Sequence, residues 1–557
     1  MNQYISICSI FFKKNYFFDE SNSKKIKLSF LLFLFISVLE FFSIGLLVVV
    51  VLTVLGYTNH FPEYLKFFSN FEKKTLLLLF IFFIFIKYFL QILFNYFERK
   101  TLRDLQIDYT SKLLNSYFFA SNSSLAKFDH SVILNNLISE VKNVFIGFFR
   151  PANEFFSELI IILSLLCLLL FLIDFQLIII CIFIVIFFII FLKIISKIAN
   201  QWGRRRIIAG SELLSNITGV LKNYNIIKLL NKENFFLKKI SPIFSTVTQA
   251  EFMEDIGQKL FRIFLEATVF LIFLIVLFLL ISEKQDDLMA KIIQIFIPFL
   301  RILPSFIKLN TTLNKMMYAL PSALNLQATN NELKNSTTKI NIAENKKINF
   351  LHSLQIKNLH FAYSEDKKII DNKSFQFNKN EKYLIVGKSG SGKTTFAELL
   401  LGFKKANQGQ FIIDSHNYQP SEDFSWKKLF GYVPQEVSLL NGMLLSNIAF
   451  GENLNSINYE KSQATLNSMN LGDDFALDYN IKNFGSNISG GQKQRIGICR
   501  ALYFNPEILI LDEPTSALNK EDSKKIMNDI LNLNKTIIVI SHDQNIIPFF
   551  KNIINFE

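Results

Sequence analysis

The sequence predicts an α-helical membrane domain of six spans followed by a soluble α/β domain with a mainly parallel sheet. Three observations point there. Six apolar stretches, each near the length of a membrane crossing, fill the first half of the chain; a polar segment follows; and short strand-like runs alternating with helical segments occupy the rest. The 557 residues exceed what one hydrophobic core normally supports, so the chain holds more than one domain. At 50% hydrophobic and 19% charged, its composition is unusual for a soluble enzyme.

The apolar stretches cover 28–56, 75–97, 155–173, 177–195, 263–281 and 288–309. Each approaches the ~20 residues that cross hydrocarbon as helix. The connections after the second and fourth are long and helix-compatible, whereas 174–176 allows little more than a turn. Basic residues set the orientation. Lys13, Lys14, Lys24, Lys25 and Lys27 precede the first span, Arg99, Lys100 and Arg103 follow the second, and Lys197, Arg204, Arg205 and Arg206 follow the fourth. The N-terminus and both long connections are therefore expected in the cytoplasm, with Lys73 and Lys74 running against the pattern. Between the first two spans Phe61, Leu65, Phe68 and Phe71 recur at helical spacing, which fits either a short helix on the outer leaflet or an ordinary loop. Cationic cytoplasmic loops account for the net charge of +13 without a nucleic-acid partner. Cys8, Cys167, Cys181 and Cys499 show no paired or metal-ligand spacing and read as reduced thiols.

Composition divides the chain into a membrane domain over 1–324, a polar linker over 325–350 and a soluble domain over 351–557. Within the last, 382–386, 507–511 and 535–540 read as strands. Gly387, Lys388, Ser389, Gly390, Ser391, Gly392, Lys393 and Thr394, followed by Thr395, lie between the first of these strands and a helical run. That context separates a phosphate loop from a chance match. Its backbone N–H groups and the new helix's N-terminus suit phosphates, Lys393 neutralises the outer ones, and Thr394 is placed to ligate Mg²⁺. The second strand ends in Asp512 and Glu513. Alone, two carboxylates at a strand end are usually structural; behind a phosphate loop, Asp512 suits Mg²⁺ and Glu513 suits the attacking water. Upstream stands a third motif, Ser489, Gly490, Gly491 and Gln492.

With these three motifs in this order, the chain resembles the ATP-binding cassette (ABC) family, and six spans fused before one cassette resemble its exporter half-transporters. The resemblance implies a P-loop NTPase domain using ATP and Mg²⁺, an ATPase coupled to transport, and a place in the bacterial cytoplasmic (inner) membrane with the cassette in the cytoplasm. It implies a homodimer in which Ser489, Gly490, Gly491 and Gln492 of one subunit cap the γ-phosphate held by the other. It further implies that Tyr363 stacks on adenine, Gln435 serves Mg²⁺ and contacts the membrane domain, and His542 contacts the γ-phosphate. Segments 125–130 and 213–220 are the expected docking helices. Two departures stand out: Asn519 replaces the family's aspartate after the catalytic strand, and Asn483 stands where exporters place an acidic residue.

Charges inside spans are costly and few: Glu40, Lys87, Arg150, Glu154, Glu158, Arg262, Glu266 and Arg301. The surroundings of Glu40, Arg262, Glu266 and Arg301 are similar to those in bacterial flippases of lipid-linked oligosaccharides. That similarity implies an amphipathic polyprenyl-diphosphate substrate in contact with membrane lipid, with Arg150, Arg262 and Arg301 attracting its headgroup. Arg301 pairing with Glu40 or Glu266 is the competing structural expectation, and for Lys87 and Arg262 ion pairing is the favoured one. Export of a peptide, lipid or drug is the main functional alternative. A nucleotide-gated regulator or channel is the other, opposed by Glu513 and His542 and kept open by Asn519.

Overall fold

The computed structural model of the chain describes residues 20–556 apart from 58–70, 173–174, 281–284, 337–347, 364–367, 389 and 517–519. The chain divides into two compact units that meet in sequence at residues 336 and 337. Among the described residues, six long helices carry the apolar stretches of the first unit: α1 (Glu20–Leu55), α2 (Lys73–Phe118), α3 (Arg150–Leu172), α4 (Phe175–Lys222), α5 (Glu233–Leu280) and α6 (Gln285–Ser336). Lys24–Leu55 and Lys73–Phe118 are each long and apolar enough to cross a membrane among those residues, and the pair His130–Glu140 and Asn143–Cys167, bent by 42°, makes a third if taken as one span. The stretch from Phe61 to Phe68 lies outside the described residues.

At about 1.5 Å per residue, the 46 residues of α2 run roughly twice the thickness of a hydrocarbon layer. Past Phe97 its sequence turns polar, yet the helix continues for a clear reason. Leu102, Leu105, Tyr109, Leu113 and Tyr117 recur at three- and four-residue spacing and are all buried. They join Val144, Phe145, Phe148 and Phe149 and, from α6, Met317, Leu320 and Ala323 in one core. The same core corrects the linker boundary: Leu326 and Leu333 are fully buried in it, so 325–336 continues α6 despite its polar composition. A second correction concerns docking helices. Residues 213–220 are interior to α4, and the separate short helix that follows is Tyr224–Leu229. Residues 125–130 join two short helices, Asn122–Leu125 and His130–Asn135.

The second unit begins with β1 (Ser353–Ala362), β2 (Lys368–Asn378) and β3 (Lys382–Val386), then α7 (Lys393–Leu400), β4 (Gln408–Ile413), β5 (His416–Tyr418) and β6 (Phe430–Val433). After these come α8 (Gly490–Tyr503), β7 (Ile508–Asp512), α9 (Lys520–Leu531), β8 (Thr536–Ile540) and β9 (Asn552–Asn555). Five strands form a parallel sheet in the order β9-β3-β8-β7-β6. Its strands β7 and β8 are buried along their whole length, as their unbroken apolar sequences require of strands covered on both faces. A separate antiparallel sheet, in the order β2-β1-β4-β5, was not anticipated by the mainly parallel pattern.

One close helix approach gives a direct test of the packing. A Cβ added at Gly203 of α4 would lie 2.2 Å from the Tyr318 carbonyl oxygen of α6, whereas Gly219 of the same helix faces open space. Small residues let helix backbones approach in this way. Gly203→Ala is expected to lower the thermal midpoint, at an overpacking cost of about 1–3 kcal/mol. Gly219→Ala is expected to leave it unchanged or raise it slightly, because alanine has the better helix propensity. Differential scanning of both variants in detergent reads the contrast.

Candidate functional site

The register of the parallel sheet builds the site. Ile540 of β8 lies level with Ile385 of β3 on one side and Asp512 of β7 on the other, and Leu511 lies level with Val433 of β6. Whatever follows those positions therefore leaves the sheet at one edge, where open α/β sheets bind ligands. The phosphate loop, the Asp512–Glu513 pair, His542 and Gln435 all do so. A cleft of about 790 Å³ opens there. Tyr363, Gly387, Lys388, Gly390, Gly392, Lys393, Thr394, Thr395, Gln435, Asp512, Glu513 and His542 line it. Ser391 is half-buried beside Gly387 and does not line the cleft, and Ser389 lies outside the described residues.

Local chemistry explains the loop. Gly392 caps α7 with φ +97°, and a Cβ there would press within 2.7 Å of Ile369 Cγ2, so glycine is required on two counts. Lys393 is buried and its Nζ donates to the Gly387 and Lys388 carbonyl oxygens at 2.8 and 2.9 Å. Its charge is thus held inside the loop that would cradle phosphates. Asp512 is 4% exposed, and burial, then the neighbouring Glu513, push its carboxyl up to about 6 against a hydrogen bond from Thr394. Glu513 adopts φ +51°, a left-handed conformation that costs a residue other than glycine about 1–3 kcal/mol and that clusters at functional sites. Its amide donates to the Ile540 carbonyl at 2.8 Å, and its Oε1 lies 2.6 Å from His542 Nδ1. The hydroxyl of Thr394, the carboxylate of Asp512 and the side-chain amide of Gln435 supply the hard oxygen donors that Mg²⁺ prefers. A buried carboxylate beside a second one is also a place that favours a divalent cation.

Some features were not legible beforehand. Lys404 sits 4.5 Å from the centroid of the Tyr363 ring and donates to its hydroxyl at 2.5 Å, which holds that phenol below its ordinary range. Nothing in the spacing of these two residues announces the contact. Ile369, Gln544, Ile547 and Asn555 also line the cleft. The third motif sits elsewhere. Ser489 caps α8 and forms a reciprocal capping box with Gln492. Ser489 and Gly490 are exposed, and Ser489, Gly490, Gly491 and Gln492 are absent from the cleft lining among the described residues. Before that motif, Asn483, Phe484 and Gly485 take φ of 45°, 54° and 83° in succession. Asn519 lies outside the described residues.

Comparison with known proteins accounts for both units. The ABC transporter transmembrane region matches residues 28–303 and the ABC transporter domain matches residues 370–516. The chain belongs to the ABC transporter family. A lactococcin-G-processing and transport ATP-binding protein of Lactococcus lactis is 28% identical over 61% of this chain and 49% of its own length. A Rickettsia typhi protein named for export ATP-binding and permease function is 37% identical over 34% of each chain. The chain thus spans half or less of the length of these curated relatives. A bacterial Atm1-family ABC exporter solved with ATP bound shares the fold, with a TM-score of 0.76 and 18% identity over 97% of this chain and 94% of that one.

The three arginines expected to handle substrate do not behave alike in the membrane unit. Arg262 pairs with Glu266 at 2.8 Å one helical turn away, with both side chains exposed. Arg150 pairs with Glu154 at 3.3 Å, likewise one turn away, with both residues half-buried. Arg301 makes its ion pair across the bundle, with Nε 2.7 Å from Glu40 Oε1. Of the two partners expected for it, Glu40 is therefore the one, and Glu266 is taken by Arg262. Lys87 also pairs, its Nζ 2.7 Å from Glu40 Oε2.

Asp512 gives the cleft a pH signature. Its folded-state carboxyl titrates near about 6 rather than at the ordinary 3.8, so it adds stability below the ordinary value and loses it as pH rises through about 6. Cation binding requires the ionised form and follows the opposite course. Mg²⁺-dependent nucleotide affinity is expected to fall about tenfold from pH 7 to pH 5 in the wild type, beyond the change seen in Asp512→Asn. Fluorescent-nucleotide titrations of both proteins at the two pH values measure the difference.

Proposed function

We propose that the chain is one half of an ATP-driven exporter that works as a homodimer, with its six long helices crossing the bacterial cytoplasmic membrane and its cassette in the cytoplasm. The convergence of Lys393, Asp512, Glu513 and His542 on one cleft carries this reading. Tyr363 offers a ring for adenine, and the loop amides with Lys393 take the phosphates. Thr394, Asp512 and Gln435 would hold Mg²⁺, which supplies neutralisation of the developing phosphate charge. Glu513 orients and polarises the attacking water, and the bond from His542 fixes the direction of its carboxylate. One chain's cleft lacks the donors at the N-terminus of α8, and a second copy facing it would provide them through Ser489, Gly490 and Gly491. Closure of two such composite sites supplies the movement that is coupled to transport.

The substrate is proposed to be an amphipathic anion, of which a lipid-linked oligosaccharide is one case. The inward cations of α2 and α6 support this choice, since a diphosphate headgroup needs cationic partners. A peptide is the second reading, favoured by the name of the Lactococcus relative. Proteoliposomes offered a polyprenyl-diphosphate oligosaccharide or an unmodified cationic peptide, with Mg-ATP, separate the two.

Glu513→Gln is expected to lower ATP turnover by about 10²–10⁴-fold while nucleotide still binds, because the pocket keeps its shape and loses its base. Lys393→Ala should instead weaken binding itself. Phosphate-release and equilibrium-binding assays on purified protein decide this; wild-type turnover in Glu513→Gln would remove the proposed role.

A further inference from the structure

Tyr363 presents a ring that is 56% exposed, so packing alone does little to fix where it stands. Its hydroxyl is held instead. Lys404 Nζ donates to the phenol oxygen at 2.5 Å, and Thr395 Oγ1 lies 3.3 Å from the same oxygen. An ammonium has no lone pair to offer, so the phenol accepts from Lys404 and keeps its own proton for Thr395. Glu398 of α7 lies 2.6 Å from Lys404 Nζ. The contacts thus run from Glu398 through Lys404 and Tyr363 to Thr395, and both ends belong to α7, the helix that begins with Lys393 and Thr394.

The backbone explains how a lysine 41 positions away reaches the ring. Helix α7 ends at Leu400, and Gly402 then takes φ +70°; a Cβ there would lie 2.0 Å from the Pro420 carbonyl oxygen, so this turn requires glycine. The amides of Phe403 and Lys404 both donate to the Glu398 carbonyl, at 2.8 and 3.2 Å, which holds the turn against the end of the helix. The place of the ammonium matters as well. It lies 4.5 Å from the ring centroid yet 2.5 Å from the phenol oxygen, so it stands beyond the hydroxyl end of the ring and not over a face. Phe361 meets the ring in a perpendicular arrangement at 5.1 Å. Lys404 therefore anchors Tyr363 without taking a face on which a base could stack.

We propose that Lys404 is a positioning residue for nucleotide binding: it fixes the Tyr363 ring relative to the phosphate loop and so sets the affinity contributed by the base rather than by the phosphates. The inference rests on the reading of Tyr363 as the ring that stacks on adenine. Its test uses the full chain in nanodiscs and compares equilibrium binding of Mg-ATP with that of Mg-tripolyphosphate, which has no base. Two changes break the contact without altering net charge: Tyr363→Phe, and Lys404→Met combined with Glu398→Gln. Each is expected to lower ATP affinity about three- to tenfold, the loss of one charge-assisted contact, and to leave tripolyphosphate affinity as in the wild type. Combined, they should cost no more than either alone, because they remove the same contact. Lys404→Arg, which can still donate to the phenol, should retain most of the ATP affinity. A side chain that merely supports the fold predicts that both ligands weaken together as the thermal midpoint falls, and that result overturns the proposal; so does wild-type ATP affinity in both contact-breaking variants. Tyr363→Ala separates the two levels. Retained ATP affinity there removes the stacking reading and the proposal with it, whereas a loss in Tyr363→Ala with none in the contact-breaking variants removes the role of Lys404 alone.

Discussion

The pairing of β8 with β3 on one flank and β7 on the other is the constraint on which the nucleotide cleft depends. It sets Ile540 level with Ile385 and Asp512, so that a loop, two carboxylates and a histidine leave the sheet at the same height. A slip of one residue in a strand would turn its side chains to the opposite face and carry Asp512 away from Lys393. The unbroken apolar sequences of β7 and β8 do not fix register by alternation. Helices and loops covering both faces must do so, and the two cores on either side of the sheet, one containing Leu509, Leu511 and Val539 and the other Ile510, Ile538 and Ile540, show how.

That sheet edge also explains why the carboxylates are costly where they stand. Asp512 is buried and adjacent to Glu513, while Lys393 spends its hydrogen bonds on loop carbonyls. The strained backbone of Glu513 persists because its amide is held by Ile540 and its carboxylate by His542. A ligand that brings positive charge to Asp512 would lower the cost of its buried carboxylate.

Much of this was legible in the sequence for a physical reason: the strands and the phosphate loop are local patterns. The strand at 382–386 is found where its apolar run predicts, and the other two lie within a residue of their predicted limits. Arg262 with Glu266 could be read from one helical turn. Contacts between distant segments could not. Arg301 and Glu40 are 261 positions apart, and no periodicity distinguishes Glu40 from Glu266 as partner. The bond of His542 to Glu513 and the seat of Lys404 on Tyr363 are likewise products of the fold. Polarity misled at 325–336, where two buried leucines outweigh a run of asparagines, and the resemblance misled at 213–220, where helix continues because nothing in that segment stops it.

The two units treat buried carboxylates by opposite rules. In the cassette, carboxylates crowd a buried strand end and leave room for a cation. In the membrane unit, Glu40 and Glu158 are each met at close range by cations of other helices. The cassette's arrangement does not maximise stability, since a buried charge lacking its counter-charge costs more than an apolar replacement would. A hydrophobic replacement of Lys308 and Glu158 together would be compatible with the fold, because the pair is neutral and Lys308 is half exposed.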